Sequence, residues 1–348
     1  GTSETHPLLS PNDEWANFEI APYRVGTKLP SNPNGSFVRE AYLRGLSTTH
    51  KTGKDPYRFG LIGSSDTHTA AISPDEENFF SKAGLLDGTP ELRGSIPVSF
   101  AYGSIIKYLD PGLIKTVGGK DYMAGSSFEF WSASGLAGVW AEENTRESIY
   151  TALRRKETFA TSGPRIQVRF FAGYDFQEGD EENPEIIKKA YSNGQPMGGA
   201  LFVEDTEPFF LAMASADPSS HPFQRLQIIK GYLQEGVAKE QIYDVACPGG
   251  LEPDSNTHRC PENGARVDLS DCSTLPGRSA RELSVLWKDP DFRHDTDAFY
   301  YVRVLENPSC RWSTWDAIRN GSEPRPDLPK IIQERAWSSP IWFRLKKG

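Results

Sequence analysis

The stretch Phe59-Gly-Leu-Ile-Gly-Ser-Ser-Asp66-Thr-His68-Thr-Ala70 decides how this chain is read. Phe59 to Ile62 is a short apolar run, expected to be a buried strand. Gly63, Ser64 and Ser65 follow, and then an Asp-x-His pair. Residues two apart on extended backbone point the same way, so the Asp66 carboxylate and the His68 imidazole are expected to share one face. A hard oxygen beside a borderline nitrogen suits zinc, manganese or iron. The carboxyl end of a buried parallel strand is also where α/β folds keep their chemistry. The competing reading makes Asp66 a turn cap and His68 a surface hydrogen-bonder.

Outward from that stretch, three longer phrases stand out: Gly1-Thr-Ser-Glu-Thr-His-Pro7, Ser134-Gly-Leu-Ala-Gly-Val-Trp-Ala-Glu-Glu-Asn-Thr-Arg-Glu-Ser-Ile-Tyr150, and Ala152 through Ile166. Together with Gly63-Ser-Ser-Asp-Thr-His-Thr69 they resemble the PHP superfamily (polymerase-and-histidinol-phosphatase domains), in which a strand ends in Gly-Ser-Asp-x-His. Within it they are similar to a branch of large bacterial PHP-like proteins of unknown function. The resemblance implies a distorted (β/α) barrel and a metal-dependent hydrolase, expected to act on a small phosphoester. In such a site bound divalent cations polarise a phosphoryl oxygen and bring the pKa of a water towards neutrality. Asp66 and His68 would be the ligands. Glu4 and His6, in a phrase that follows a barrel strand in relatives, are lesser ligand candidates. Ser64 or Ser65 would steady a ligand by a hydrogen bond from behind. No residue is assigned a catalytic role beyond these.

PHP domains open with a His-x-His strand, and the six histidines here (His6, His50, His68, His221, His258, His294) never form one. The chain therefore reads as the carboxyl-terminal part of a longer protein. Its missing amino-terminal part would be a partner carrying most of the metal site, and the divalent cation would be held fully only with it.

Two units are expected: residues 1–163 as the end of a PHP-type barrel, and 164–348 as an antiparallel β-sandwich, giving α/β plus all-β overall. In the first, 1–38 reads as an irregular arm, 36–52 as a helix and 58–63 as a strand. Ser73-Pro-Asp-Glu-Glu-Asn reads as a capped helix start. Residues 110–125, rich in glycine, read as a surface loop with a lid as the rival. Asn144 with Glu147 reads as a capping box for a helix to Lys156, and the basic trio Arg154, Arg155, Lys156 suits its negative end. A phosphate-facing role for Arg146 or Arg154 is the lesser alternative. From Arg165 the period becomes two: Ile166, Val168 and Phe170 alternate with Gln167, Arg169 and Phe171, and later runs at 209–214, 225–228, 283–287, 298–305 and 336–345 continue as strands. A helix is expected at 185–191.

Thirty-one glycines, 26 prolines and 11% aromatics in 348 residues favour turns and sheets. A net charge of −9 argues against a nucleic-acid-binding surface. No apolar run reaches the roughly 18 residues that a membrane span needs. Cys247, Cys260, Cys272 and Cys310 lie among loop residues, and an even cluster favours two disulfides, hence a periplasmic or secreted protein. Sequence proximity favours Cys247–Cys260 and Cys272–Cys310, with a structural zinc as the rival. A non-catalytic extracytoplasmic binding module is the second functional reading. For it Trp287, Trp312, Trp315, Trp337 and Trp342 would supply a sugar platform, although core packing is the default for aromatics at strand spacing.

Overall fold

The structure is a computed structural model and describes residues 3–24, 27, 29–124 and 128–346. In chain order its elements are α1 (Val38–Thr52), α2 (Phe100–Leu109), β1 (Ile114–Val117), β2 (Lys120–Met123), β3 (Leu136–Val139), α3 (Arg146–Arg155), β4 (Thr158–Thr161) and β5 (Gln167–Gly173). There follow α4 (Ile186–Asn193), β6 (Gln195–Pro196), β7 (Ala200–Phe202), β8 (Phe209–Ser215), β9 (Phe223–Gln234), β10 (Val237–Ala246), β11 (Arg266–Val267) and β12 (Thr274–Leu275). The rest are β13 (Glu282–Lys288), β14 (Ala298–Glu306), β15 (Ser309–Cys310), α5 (Trp312–Arg319), β16 (Ile331–Ile332), β17 (Arg335–Ser338) and β18 (Ile341–Arg344).

The fold is mixed α/β and mostly antiparallel. A large sheet runs β10-β9-β14-β17-β4-β3, with β18 pairing β14 and, in parallel, β7. A smaller sheet runs β13-β8-β5-β6. Their facing sides fill one core: Val168, Phe170, Phe210 and Ala212 from the small sheet meet Leu226, Ile228, Tyr300, Val302 and Phe343 from the large one. The period-two reading of 166–170 thus identified an inner face. Phe171, read as the outward partner, is buried as well, because α4 lays Ile186 and Ala190 over Phe171 and Leu211. On the far side of the large sheet α1 buries Tyr42 and Leu46 against Ile229, Phe299 and Trp342. Two mostly antiparallel sheets thus pack in a sandwich-like way, with a helix on each outer face. Trp312 and Trp342 are buried and Trp287 packs against the core, so these rings fill the interior rather than form an open platform, and Trp337 is buried as well.

The barrel does not appear. Among the described residues no sheet closes on itself. Residues 58–63 join no ladder, and Phe59 and Ile62 are exposed. Instead the segment is pressed against β3 and β4. A Cβ built on Gly63 would come within 2.3 Å of the Leu136 carbonyl oxygen, a separation that only glycine permits. The Leu61 N–H donates to Ser339 Oγ at 2.8 Å. β3 and β4 themselves belong to the large sheet, which therefore continues across position 163.

Local differences have local causes. Thr145, not Asn144, caps α3, its hydroxyl accepting from the Ser148 N–H. Residues 73–80 form a turn rather than a helix, Ser73 Oγ accepting from the Phe80 N–H and Asp75 from the Glu77 N–H. Residues 114–123 are a hairpin, because Gly118 and Gly119 both sit at positive φ, as a two-residue turn between twisted strands requires. Gly125, the end of the expected surface loop, lies outside the described residues.

The cysteines pair as Cys247–Cys260 and Cys272–Cys310. Both cross-links tie down long connections of the sandwich, and bridges of this kind stabilise by roughly 2–4 kcal/mol each. No helix among the described residues is long and apolar enough to cross a membrane.

Candidate functional site

On the outer face of the large sheet, beyond α1, lies a cavity of about 520 Å³, within the usual range for small-molecule sites. The arm contributes Ser3, Glu4, Phe18 and Glu19. The 61–66 segment contributes Leu61, Ile62, Ser64 and Asp66. The sheet supplies Ala160, Thr161, Tyr301 and Trp337, and the remaining walls are Lys82, Phe130, Trp131 and Ser162.

Glu4 sits in the most heavily bonded polar cluster of this face. Its Oε1 accepts from Arg39 Nη2 and Tyr301 OH. Its Oε2 accepts from Arg303 Nη1 at 2.9 Å and Trp337 Nε1 at 2.6 Å. Asp13 joins the same cations, accepting from Arg303 Nη2 at 2.8 Å and Arg39 Nη2 at 2.8 Å. Arg303 Nε donates to Gln227 Oε1 at 2.7 Å, and Arg39 Nε to Tyr301 OH at 2.7 Å. Two carboxylates thus face two guanidiniums, all buried. Burial pushes the Glu4 carboxyl up, but Arg303 and Arg39 together outweigh it and hold the group down at about 2. In Asp13 the same two cations prevail over burial and push the carboxyl below the usual range. Four donors occupy the Glu4 oxygens, so Glu4 would have to give up its ion pairs to ligate a metal. It fits as the anchor of the arm.

Asp66 is in the opposite state. Its backbone is left-handed at φ 51°, a conformation that Asp tolerates better than most residues, and its side chain is exposed at the cavity rim. The left-handed turn ends the strand alternation that would have carried Asp66 and His68 on one face. Asp66 lines the cavity, whereas His68 is exposed and outside the lining set, its N–H donating to the Lys82 carbonyl at 2.7 Å. Ser64 lines the cavity. Ser65 does not, its hydroxyl accepting from the Thr67 N–H at 3.3 Å. His6 is turned to Phe37, ring centroids 5.4 Å apart, with Nδ1 accepting from the Leu8 N–H at 3.0 Å. Arg146 and Arg154 are exposed on α3 and form no part of the cavity lining. The structure therefore brings Glu4, Ser64 and Asp66 to one cavity and leaves His6, Ser65 and His68 outside it. Among the described residues no group of three or more His, Cys, Asp or Glu side chains is arranged to hold a metal ion.

Sequence reasoning missed Lys82, Thr161, Glu19 and Trp131. Lys82 is buried, its Nζ 5.7 Å from the Trp131 ring centroid. Thr161 is buried, and its hydroxyl has no hydrogen-bond partner among the described residues. Glu19 is fixed by the Ser132 N–H at 3.3 Å and by the Ser132 hydroxyl. Nothing local in the sequence marks these residues. They meet only because the sheet, the arm and the 61–82 segment converge.

A family model described as a protein of unknown function (DUF3604) matches residues 1–345, and the chain belongs to that family. A search of curated proteins found no match.

Proposed function

We propose that the cavity is the substrate site of a metal-dependent hydrolase of the PHP-like kind, acting on a small organic phosphoester, with Asp66 and His68 as donors to a divalent cation. The observation that carries this reading is Asp66, an exposed carboxylate in a left-handed turn at the rim of a ligand-sized cavity. Backbone held in a sparsely populated region concentrates at functional sites. Asp66 at the rim and His68, solvent-accessible but outside the lining, would have to turn toward each other to share zinc, manganese or iron, whose other positions would fall to water and substrate oxygen. Bound there, the cation would supply a Lewis acid and a water acidic enough to ionise near neutrality.

The chain's own residues do the rest. Phe18, Phe130 and Trp337 enclose an apolar substrate body and exclude water from it. The Glu4–Arg39–Arg303 cluster fixes the arm that forms one wall. Two disulfides suit a periplasmic or secreted setting. The second reading, a non-catalytic extracytoplasmic binding module, is favoured by the aromatic lining alone.

The test is calorimetric titration of the chelator-treated protein with manganese and zinc, repeated on Asp66→Ala and His68→Ala. We expect one site whose affinity falls at least about tenfold in each variant, the loss of one good ligand. Hydrolysis in a phosphoester panel should stop with chelator and return with metal. A wild-type protein that takes up neither ion ends the hydrolase reading.

A further inference from the structure

We infer that the cavity recognises an aromatic ring carrying a tetrahedral oxyanion, with Lys82 and Thr161 as the anion-holding pair. This rests on the hydrolase reading only for the fate of the bound molecule, and it deepens that reading by naming the substrate class, an aryl monoester.

Most buried cations elsewhere in this molecule are matched to acids, and Arg311 and Arg335, which form no salt bridge among the described residues, donate to carbonyl oxygens instead. Arg39 and Arg303 face Glu4 and Asp13, Arg93 meets Asp316 at 2.6 Å, and Arg325 meets Glu129 at 3.2 Å. Lys82 is only 5% exposed, yet it forms no salt bridge among the described residues. Its ammonium group faces the Trp131 ring and lines the cavity. Thr161 lines the same cavity at 3% exposure, with a hydroxyl that nothing in the protein satisfies. Buried polar groups are hydrogen-bonded in the large majority of cases, and each exception costs free energy. A ligand oxyanion removes the Thr161 exception by accepting from its hydroxyl, and takes a charge-assisted bond from Lys82, which makes no side-chain hydrogen bond of its own among the described residues.

The other walls set the rest of the ligand. Phe18, Phe130, Trp131 and Trp337 favour a flat apolar body. Lys82 takes up one approach to the Trp131 ring. Asp66 at the rim and Glu19 in the wall repel an anion, and a divalent cation on Asp66 would lessen that repulsion. Cation and oxyanion should therefore strengthen each other's binding by the same factor.

Tryptophan fluorescence titrations with phenyl phosphate, phenyl sulfate and phenol test the assignment on wild type, Lys82→Met, Lys82→Arg and Thr161→Val. Loss of a charged hydrogen bond should weaken phenyl phosphate about ten- to hundredfold in Lys82→Met, and Thr161→Val should weaken it by several-fold. Lys82→Arg should restore most of the affinity, phenyl sulfate should show the same dependence on Lys82, and phenol should bind all four proteins alike. Manganese should tighten phenyl phosphate in wild type. Phenyl phosphate binding that is unchanged in Lys82→Met and Thr161→Val overturns the assignment, as does an equal loss of phenol binding. Lys82-dependent binding without turnover in manganese or zinc leaves it standing and removes the hydrolase reading. Turnover indifferent to Lys82→Met does the reverse.

Discussion

The two faces of the large sheet are built by opposite rules. Its inner face presents Leu226, Ile228, Tyr300, Val302 and Val304 to the small sheet, and is stabilised by removing apolar surface from water. Its outer face carries Arg225, Gln227, Tyr301, Arg303, Arg335 and Trp337 at the alternate positions of the same strands. Around these residues buried charge takes the place of packing, Arg225 meeting Asp244 at 2.8 Å and Arg303 meeting Asp13, while α1 covers the rest of the face with the apolar contacts of Tyr42 and Leu46. The difference shows what each face is for. A greasy face holds a second sheet of regular shape, whereas the polar face holds an irregular arm at defined points and leaves a cavity between them.

Paired substitutions put this contrast under strain. Ile228→Ala removes packing from a fully buried inner position and should cost about 2–5 kcal/mol. Arg303→Met leaves Glu4 and Asp13 buried without their main partner and should cost about 3–5 kcal/mol. The penalties are similar in size but differ in kind, and urea denaturation at two pH values separates them. The Arg303→Met deficit should shrink in acid, where Glu4 can take up a proton, while the Ile228→Ala deficit should not. Equal pH dependence would dissolve the contrast.

A smaller effect arises where the inner face breaks its own rule. Glu306 ends β14 on that side, buried, with Oε1 unpartnered and Oε2 accepting from Ser220 at 2.6 Å. Burial pushes its carboxyl from 4.5 up to about 8. Between those values the folded chain keeps a proton that the unfolded chain has lost. The stabilising contribution is thus complete below 4.5 and disappears as pH rises through about 8. Glu306→Gln should flatten this part of the stability profile. Thermal unfolding across pH 5–9 (roughly the window set by the two values) reads it out.

The smallest effects are expected at the exposed periphery. Asp66→Ala at the cavity rim and Phe100→Ser on α2 should each change stability by no more than about 0.5 kcal/mol, since both side chains are exposed. A larger loss at Asp66 would mean that its side chain supports the fold rather than waiting for a ligand.

What the sequence disclosed follows the same division. Inner-face strands such as 166–170 and 298–305 announce themselves through apolar periodicity, because burial against a flat partner imposes it. β10, with Lys239, Glu240 and Gln241, carries no such signal, and β3 and β4 are four residues each among glycines and serines. Glu4 drew attention as a ligand candidate, yet its partner Arg303 lies 299 positions away, and no local pattern encodes that meeting. The expected barrel failed at Phe59–Ile62 for a similar reason. An apolar run reveals a wish for burial, not whether a neighbour will offer a ladder, and here Gly63 lets the segment lie against β3 and β4 instead.

The pairing of β4 with β17, and the bond from Trp337 to Glu4 across 333 positions, also bear on how the molecule is made. A nascent chain has neither contact until residues 335–338 have emerged. Closure over such separations is slow, and strand edges stay open to wrong partners meanwhile. Biosynthesis would then favour holding the polypeptide unfolded until synthesis is complete, which is the condition a chain must keep if it is threaded through a secretion pore before its thiols are oxidised.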